Sequence, residues 1–188
     1  QSMYFEGNTN TQPHQDSYYL DDEEIGRMSA CWIALEDIDW NAGRFYVCPG
    51  SHRSDGFEIN KKEYLFQESN YIEKIRTILN HYEIRAPFLK KGDILVWNSL
   101  TIHGSLPDLN PKNSRSSITT HFTTAGSKFR TYRNKLNNLR VEKRKYFDIY
   151  RPYDYDNFIT RFKIFVAVRF PRVKLLLKKI YVSYFYKK

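Results

Sequence analysis

The sequence predicts a mainly β chain, an antiparallel sandwich or barrel with one helical insertion and a basic C-terminal extension. Three observations carry that expectation. Short apolar runs rich in β-branched and aromatic residues are broken by Gly, Pro and Asp turns. A single stretch before residue 127 has clear helical periodicity, so the alternation needed for a doubly wound sheet is missing. The charge balance also changes sign near residue 127. At 188 residues the chain is long enough for one hydrophobic core, and its 15 Tyr and 13 Phe make that core aromatic.

The elements follow in order. Tyr4-Phe5-Glu6-Gly7 reads as the tail of a strand. Residues 28–35, Met-Ser-Ala-Cys-Trp-Ile-Ala-Leu, are apolar and uncharged, which fits a strand buried on both faces. Residues 36–43 are a polar turn. Residues 44–48 form the next strand, stopped by Pro49-Gly50-Ser51-His52. In 61–81, Tyr64, Leu65, Ile72, Ile75, Ile78 and Leu79 recur at helical spacing, with exposed His81 at the end. Lys91-Gly92-Asp93 turns into a strand over 94–97. Residues 116–122 form the last strand, on which His121 faces either the pocket or solvent. No internal repeat is present.

Residues 1–127 hold 12 Lys/Arg against 17 Asp/Glu, a net of −5, whereas 128–188 hold 18 against 4, a net of +14. The expected division is a core over 3–127 and a basic, aromatic-rich, helical extension over 128–188. Within 157–188 no uncharged run reaches the ~20 residues of a membrane span. Apolar and basic residues interleave there instead. That pattern fits a helix docked on the core, a segment lying on an anionic membrane, a surface for a partner protein, or disorder. Cys31 and Cys48 lie in apolar runs without paired-ligand spacing, so a zinc ribbon or disulfide scaffold is not expected. No signal peptide is recognised, and Gln1-Ser2 before Met3 reads as the remnant of a tag. A cytoplasmic location, with the inner face of a membrane as a variant, is the expectation.

The chemistry concentrates in four residues. His14 and Asp16 are two apart, so on an extended strand both leave the same face while Gln15 points away. His103 would join them from a distant strand. Two imidazoles and a carboxylate leave positions open on octahedral iron(II), where a structural zinc site would close its shell. Arg115, twelve residues past His103, has the planar fork that pairs with a carboxylate. Each residue alone has an ordinary reading as a surface or core side chain; the combination carries the weight.

On these residues the chain resembles the phytanoyl-CoA dioxygenase family of iron(II)- and 2-oxoglutarate-dependent oxygenases. The resemblance runs through Pro13-His14-Gln15-Asp16, Cys31-Trp32-Ile33-Ala34-Leu35-Glu36-Asp37, and Asn41-Ala42-Gly43-Arg44-Phe45 with Pro49-Gly50-Ser51-His52. It continues through Gly92-Asp93 with Trp97, then His103-Gly104-Ser105 and Arg115. It covers roughly residues 5–123. It implies a double-stranded β-helix (jelly roll, cupin-like) in which His14, Asp16 and His103 bind Fe(II), with dioxygen as cosubstrate. It also implies that Arg115 pairs with the distal carboxylate of 2-oxoglutarate, that Trp32 lines the cosubstrate pocket and that Ser105 hydrogen-bonds the cosubstrate. Asn41 and Arg44 would shape the mouth for substrate, and His52 would be structural or near substrate. Two departures stand out: Ala42 where many relatives have glycine, and few residues before His14.

The implied activity is a dioxygenase hydroxylating a small metabolite, an acyl thioester or a lipid-linked substrate. The competing reading is a non-catalytic binding or structural protein on the same fold, its turnover lost through the short N-terminal region. Homo-oligomerisation or coverage by the extension would compensate for missing strands. Nucleic-acid binding rests only on the basic, aromatic tail, and a cupin-type barrel using another metal is the remaining alternative.

Overall fold

A computed structural model of the chain describes residues 2–5, 10–54, 68–110, 112–131, 136–137, 140–150, 158–170 and 172. Two compact units divide it, Gln1–Leu139 and Arg140–Lys188.

The first unit holds β1 (Ser2–Phe5), β2 (Leu20–Asp22), β3 (Ser29–Ala34), β4 (Phe45–Val47), β5 (Ile94–Asn98), β6 (His103–Ser105), β7 (Ser117–Phe122), β8 (Phe129–Thr131) and β9 (Leu136–Asn137), with one α-helix among its described residues, α1 (Glu68–Leu79). The main sheet has four antiparallel strands in the order β1-β7-β3-β5. Central β3 buries Ala30, Cys31, Trp32 and Ala34, so its uncharged sequence is explained by neighbours on both edges and cover on both faces. Edge strand β5 is different: Trp97 is buried, whereas Ile94 and Val96 are exposed on the other face.

β4 and β6 form a second, two-stranded sheet, and β2-β8-β9 a third. Phe45 of β4 stacks towards Trp32, with centroids 5.8 Å apart, and lies 4.9 Å from Trp97, so an aromatic wall joins β4 to the inner face of the main sheet. A second core beneath α1 gathers Tyr18, Tyr46, Cys48, Tyr71, Ile75 and Ile102.

The expected strands over 28–35, 44–48, 94–97 and 116–122 correspond to β3, β4, β5 and β7. The helix expected over 61–81 is described from Glu68 to Leu79; Tyr64 and Leu65 lie outside the described residues. The 128–188 segment departs from expectation. Its first residues are strands, because β8 pairs with β2 in the register Leu20↔Thr131 to Asp22↔Phe129. The compact-unit boundary therefore falls after Leu139 and not after Ser127.

The second unit holds a hairpin of β10 (Val141–Lys143) and β11 (Asp148–Tyr150), and a helix, α2 (Phe158–Arg169). Within the extension expected to be helical over 128–188, helix is described at Phe158–Arg169, and residues 173–188 lie outside the described set.

Candidate metal centre

His14 and His103 face each other as a hydrogen-bonded antiparallel pair: each backbone N–H donates to the other's carbonyl at 3.0 Å. That ladder step brings together two imidazoles 89 positions apart in the chain, with ring centroids separated by 4.3 Å. Asp16 does not lie on a strand, as its spacing suggested. Gln15 is extended (φ −112°, ψ 136°), and Asp16 opens a 3-10 turn. One extended residue suffices to put His14 and Asp16 on one side. Gln15 points the other way and is buried, with its side-chain amide donating to the Leu100 carbonyl.

Three neighbours fix this segment. Tyr71 of α1 accepts the Gln15 N–H through its hydroxyl at 2.8 Å, and its ring stacks on Tyr18 at 3.6 Å. Ser17 donates its N–H to the Ser99 carbonyl at 3.1 Å. Gly104, between His103 and Ser105, has no room for a side chain: a Cβ there would stand 2.8 Å from the Tyr46 hydroxyl and 3.0 Å from the Thr11 carbonyl. The Pro49-Gly50-Ser51-His52 motif works from the opposite direction. Buried Ser51 donates its hydroxyl to the Cys48 carbonyl and accepts the Ile102 N–H at 2.8 Å, pinning the approach to His103. His52 itself is exposed, as is His81.

Among the described residues, His14, Asp16 and His103 form the one group of three whose ligand atoms lie within 4.8 Å of one another. Their free atoms converge: His14 Nε2 and His103 Nε2 stand 3.7 Å and 3.4 Å from Asp16 Oδ1. The remaining atoms are tied back. Nδ1 of His14 meets the Gln12 carbonyl at 2.8 Å, and Nδ1 of His103 meets the Thr101 carbonyl at 2.9 Å. A carbonyl only accepts, so Nδ1 carries a proton in both rings and Nε2 is left facing Asp16. Asp16 Oδ2 accepts the indole N–H of Trp97 at 2.9 Å, leaving Oδ1 for the cation.

Burial, reinforced by His14, pushes the His103 imidazole below its ordinary range. Burial alone would raise Asp16, but His103, aided by His121 and His14, holds its carboxyl well below the usual carboxylate range. An ionised carboxylate beside two imidazoles is a donor set that a cation can use.

His121 takes the inward of its two expected orientations. Its Nε2 is 3.5 Å from Asp16 Oδ2, and its side chain is 6% exposed. The sequence alone does not reveal the Trp97 donation, and it leaves His121 between two orientations. The register gives the signal: Ala30 pairs with both Trp97 and His121, so all three share one face.

Arg115 enters from the start of β7 and is 3% exposed. One of its amino groups donates to the Gly43 carbonyl at 2.6 Å, and its guanidinium lies 5.9 Å from the Trp32 ring centroid. Its Nε has no hydrogen-bond partner. Among the described residues no carboxylate reaches ion-pair distance, and burial lowers its pKa to about 10, only partly opposed by the field of Asp108. It remains a cation at neutral pH. The buried hydroxyls of Ser105 and Ser117 also lack partners.

The two residues expected at the mouth are otherwise engaged. Asn41 accepts the Asn113 amide at 2.6 Å and the Leu109 N–H at 2.9 Å, which fastens the loop leading to Arg115. Arg44 donates to the Ala86 carbonyl and lies 4.0 Å over the Phe88 ring.

An antiparallel main sheet faced by a short one thus brings two histidines and a carboxylate together beside an aromatic wall, as a group that could hold a metal ion. The family model of phytanoyl-CoA dioxygenase (PhyH) matches residues 1–117, and the chain belongs to that family. Peroxisomal phytanoyl-CoA dioxygenase of Homo sapiens is 28% identical over 115 residues, 60% of this chain and 33% of that protein. Phytanoyl-CoA dioxygenase domain-containing protein 1 of Danio rerio is 30% identical over 87 residues, 45% of this chain and 30% of that protein. The chain therefore spans about a third of the length of the curated relatives it matches. Among solved structures, the non-heme alpha ketoglutarate dependent carbocyclase SnoK from nogalamycin biosynthesis aligns with a TM-score of 0.56 at 20% identity, over 69% of this chain and 52% of that one. That likeness speaks to the fold.

Proposed function

We propose that the chain is an iron(II)- and 2-oxoglutarate-dependent dioxygenase, built as a double-stranded β-helix, that hydroxylates a small metabolite, an acyl thioester or a lipid-linked substrate. The observation that carries this reading is the convergence of two Nε2 atoms and one carboxylate oxygen, each with its spare polar atom tied elsewhere. Three donors on one side suit a cation that keeps positions open for other ligands.

The residues also fit the cosubstrate. A buried, unpaired guanidinium with an unbonded Nε is costly unless an anion completes it, and two unbonded hydroxyls lie buried in the same unit. His14, Asp16 and His103 would hold iron; Arg115 would bind the distal carboxylate of 2-oxoglutarate, with Ser105 donating to the cosubstrate and Trp32 backing the guanidinium. Iron with 2-oxoglutarate supplies the oxidising power: with dioxygen, a substrate C–H becomes C–OH while the cosubstrate leaves as succinate and carbon dioxide. The chain's share is to orient the donors, to tie each imidazole back through its Nδ1, and to exclude water with Phe45, Trp97 and Trp32. Asn41 serves by holding the Arg115 loop, and Arg44 by holding the 86–88 loop at the mouth.

The test is succinate release under air, with iron(II) and 2-oxoglutarate added singly and together. Release that needs both and disappears in His14→Ala supports the reading; equal release from His14→Ala refutes the ligand assignment. The non-catalytic alternative draws on the exposed apolar residues of edge strand β5, where Ile94 and Val96 face outward. Binding of both iron and 2-oxoglutarate without succinate release would decide for it.

A further inference from the structure

We infer that α2 is a seat for an anionic membrane surface. Three properties of the helix converge on that partner. It is too apolar to stand in water: Phe158, Val168, Phe165 and Phe162 are 80%, 77%, 57% and 56% exposed. It is too short to cross a bilayer, since its 12 residues rise ~18 Å against a hydrocarbon core of ~30 Å. It is too basic for an apolar interior: Arg161, Lys163, Arg169 and Arg172 fall within 158–172, which contains no Asp or Glu. The boundary between headgroups and acyl chains satisfies all three.

The placement of the side chains supports this seating. Phe158, Phe162 and Phe165 are spaced four and three apart and so share a face, with the first two rings stacked at 6.3 Å. Arg161 lies three residues past Phe158 at the edge of that face, and Arg169 follows Phe165 by four at its C-terminal end. Their long stems let the guanidinium groups reach phosphates while the rings enter the acyl boundary. Charge selects the lipid: with no acidic residue to repel it, an anionic surface is favoured over a neutral one. The sequence beyond the described helix continues the pattern, with five Lys and no acid in 173–188.

The experiment uses the full chain with vesicles of phosphatidylcholine alone, or with about a third phosphatidylserine, in a sedimentation assay at low and high salt. Binding to the anionic vesicles only, weakened by salt, is expected. Arg161→Gln with Lys163→Gln should weaken it about 25-fold, fivefold per cation, the ~1 kcal/mol each contributes near such a surface. Phe158→Ser with Phe162→Ser should abolish most of the remainder, with an unchanged circular dichroism spectrum showing that the fold persists. Three results overturn the proposal: no binding to either vesicle, equal binding to both, or binding to anionic vesicles that the double Phe variant leaves intact. Displacement from vesicles by competitor RNA at equal phosphate would assign the helix to nucleic acid, and a concentration-dependent dimer that excludes vesicles would assign it to a second copy.

Discussion

The two ends of the site are built on opposite plans. At the metal end every spare polar atom of the donors is engaged: both Nδ1 atoms meet backbone carbonyls, and Asp16 Oδ2 takes the Trp97 N–H with His121 at 3.5 Å. At the Arg115 end the guanidinium Nε is buried and unbonded, as are the hydroxyls of Ser105 and Ser117 in the same unit. One end is completed by the chain's own partners; at the other, the proposed partner is an anion. Backbone carbonyls can fix a ring's orientation in advance, whereas a buried cation without a carboxylate carries an uncompensated desolvation cost.

Breaking the finished end should have the largest effect. His14→Ala or Asp16→Ala should lower iron(II) affinity, measured by anaerobic calorimetry, by more than the ~10- to 100-fold attached to outer partners of a metal ligand. Next comes Arg115→Met, with effects of opposite sign. Affinity for 2-oxoglutarate should fall roughly 30- to 150-fold, about 2–3 kcal/mol for a charge-assisted pair. The thermal midpoint of the ligand-free chain should hold or rise, because an unpaired buried charge has been removed.

Trp97→Phe sharpens the contrast, since it keeps an aromatic ring in the wall while removing the N–H on Asp16. Iron affinity should drop ~10-fold or more, with a loss of stability from the smaller ring and the missing hydrogen bond. Gly104→Ala tests the backbone beneath. Its Cβ would collide with the Tyr46 hydroxyl and the Thr11 carbonyl, for a cost of about 1–3 kcal/mol read from chemical denaturation. The smallest effect concerns Cys48, outside the site. Burial raises its thiol to about 11, so about 0.1% is thiolate at pH 8, and alkylation should be slow until denaturant is added.

The metal end was legible in the sequence and the surroundings were not, for physical reasons. His-x-Asp needs only one extended residue between its ends to aim both side chains together, and Gln15 provides it whether Asp16 begins a strand or a turn. β3 was legible because a central strand buried on both faces leaves an uncharged run. β2, β8 and β9 were not, being two or three residues long, with β2 and β8 paired across more than a hundred positions of chain. Pairing of β8 with β2 is also why the compact unit extends past the change of charge at residue 127. His121 could not be oriented from alternation alone, since a one-residue shift of register reverses every side chain. Its direction followed only once Ala30 was seen opposite it. Arg44 and Asn41 have residue types suited to a substrate mouth, but neighbouring loops engage them.

Anomalous diffraction at the iron edge, from crystals grown without oxygen in iron(II) and 2-oxoglutarate, tests the central claim most directly. One peak bonded to His14 Nε2, His103 Nε2 and Asp16 Oδ1, with Trp97 still on Oδ2 and a carboxylate on Arg115, is the expected result. Iron bound elsewhere, or Asp16 turned away from both imidazoles, would contradict it.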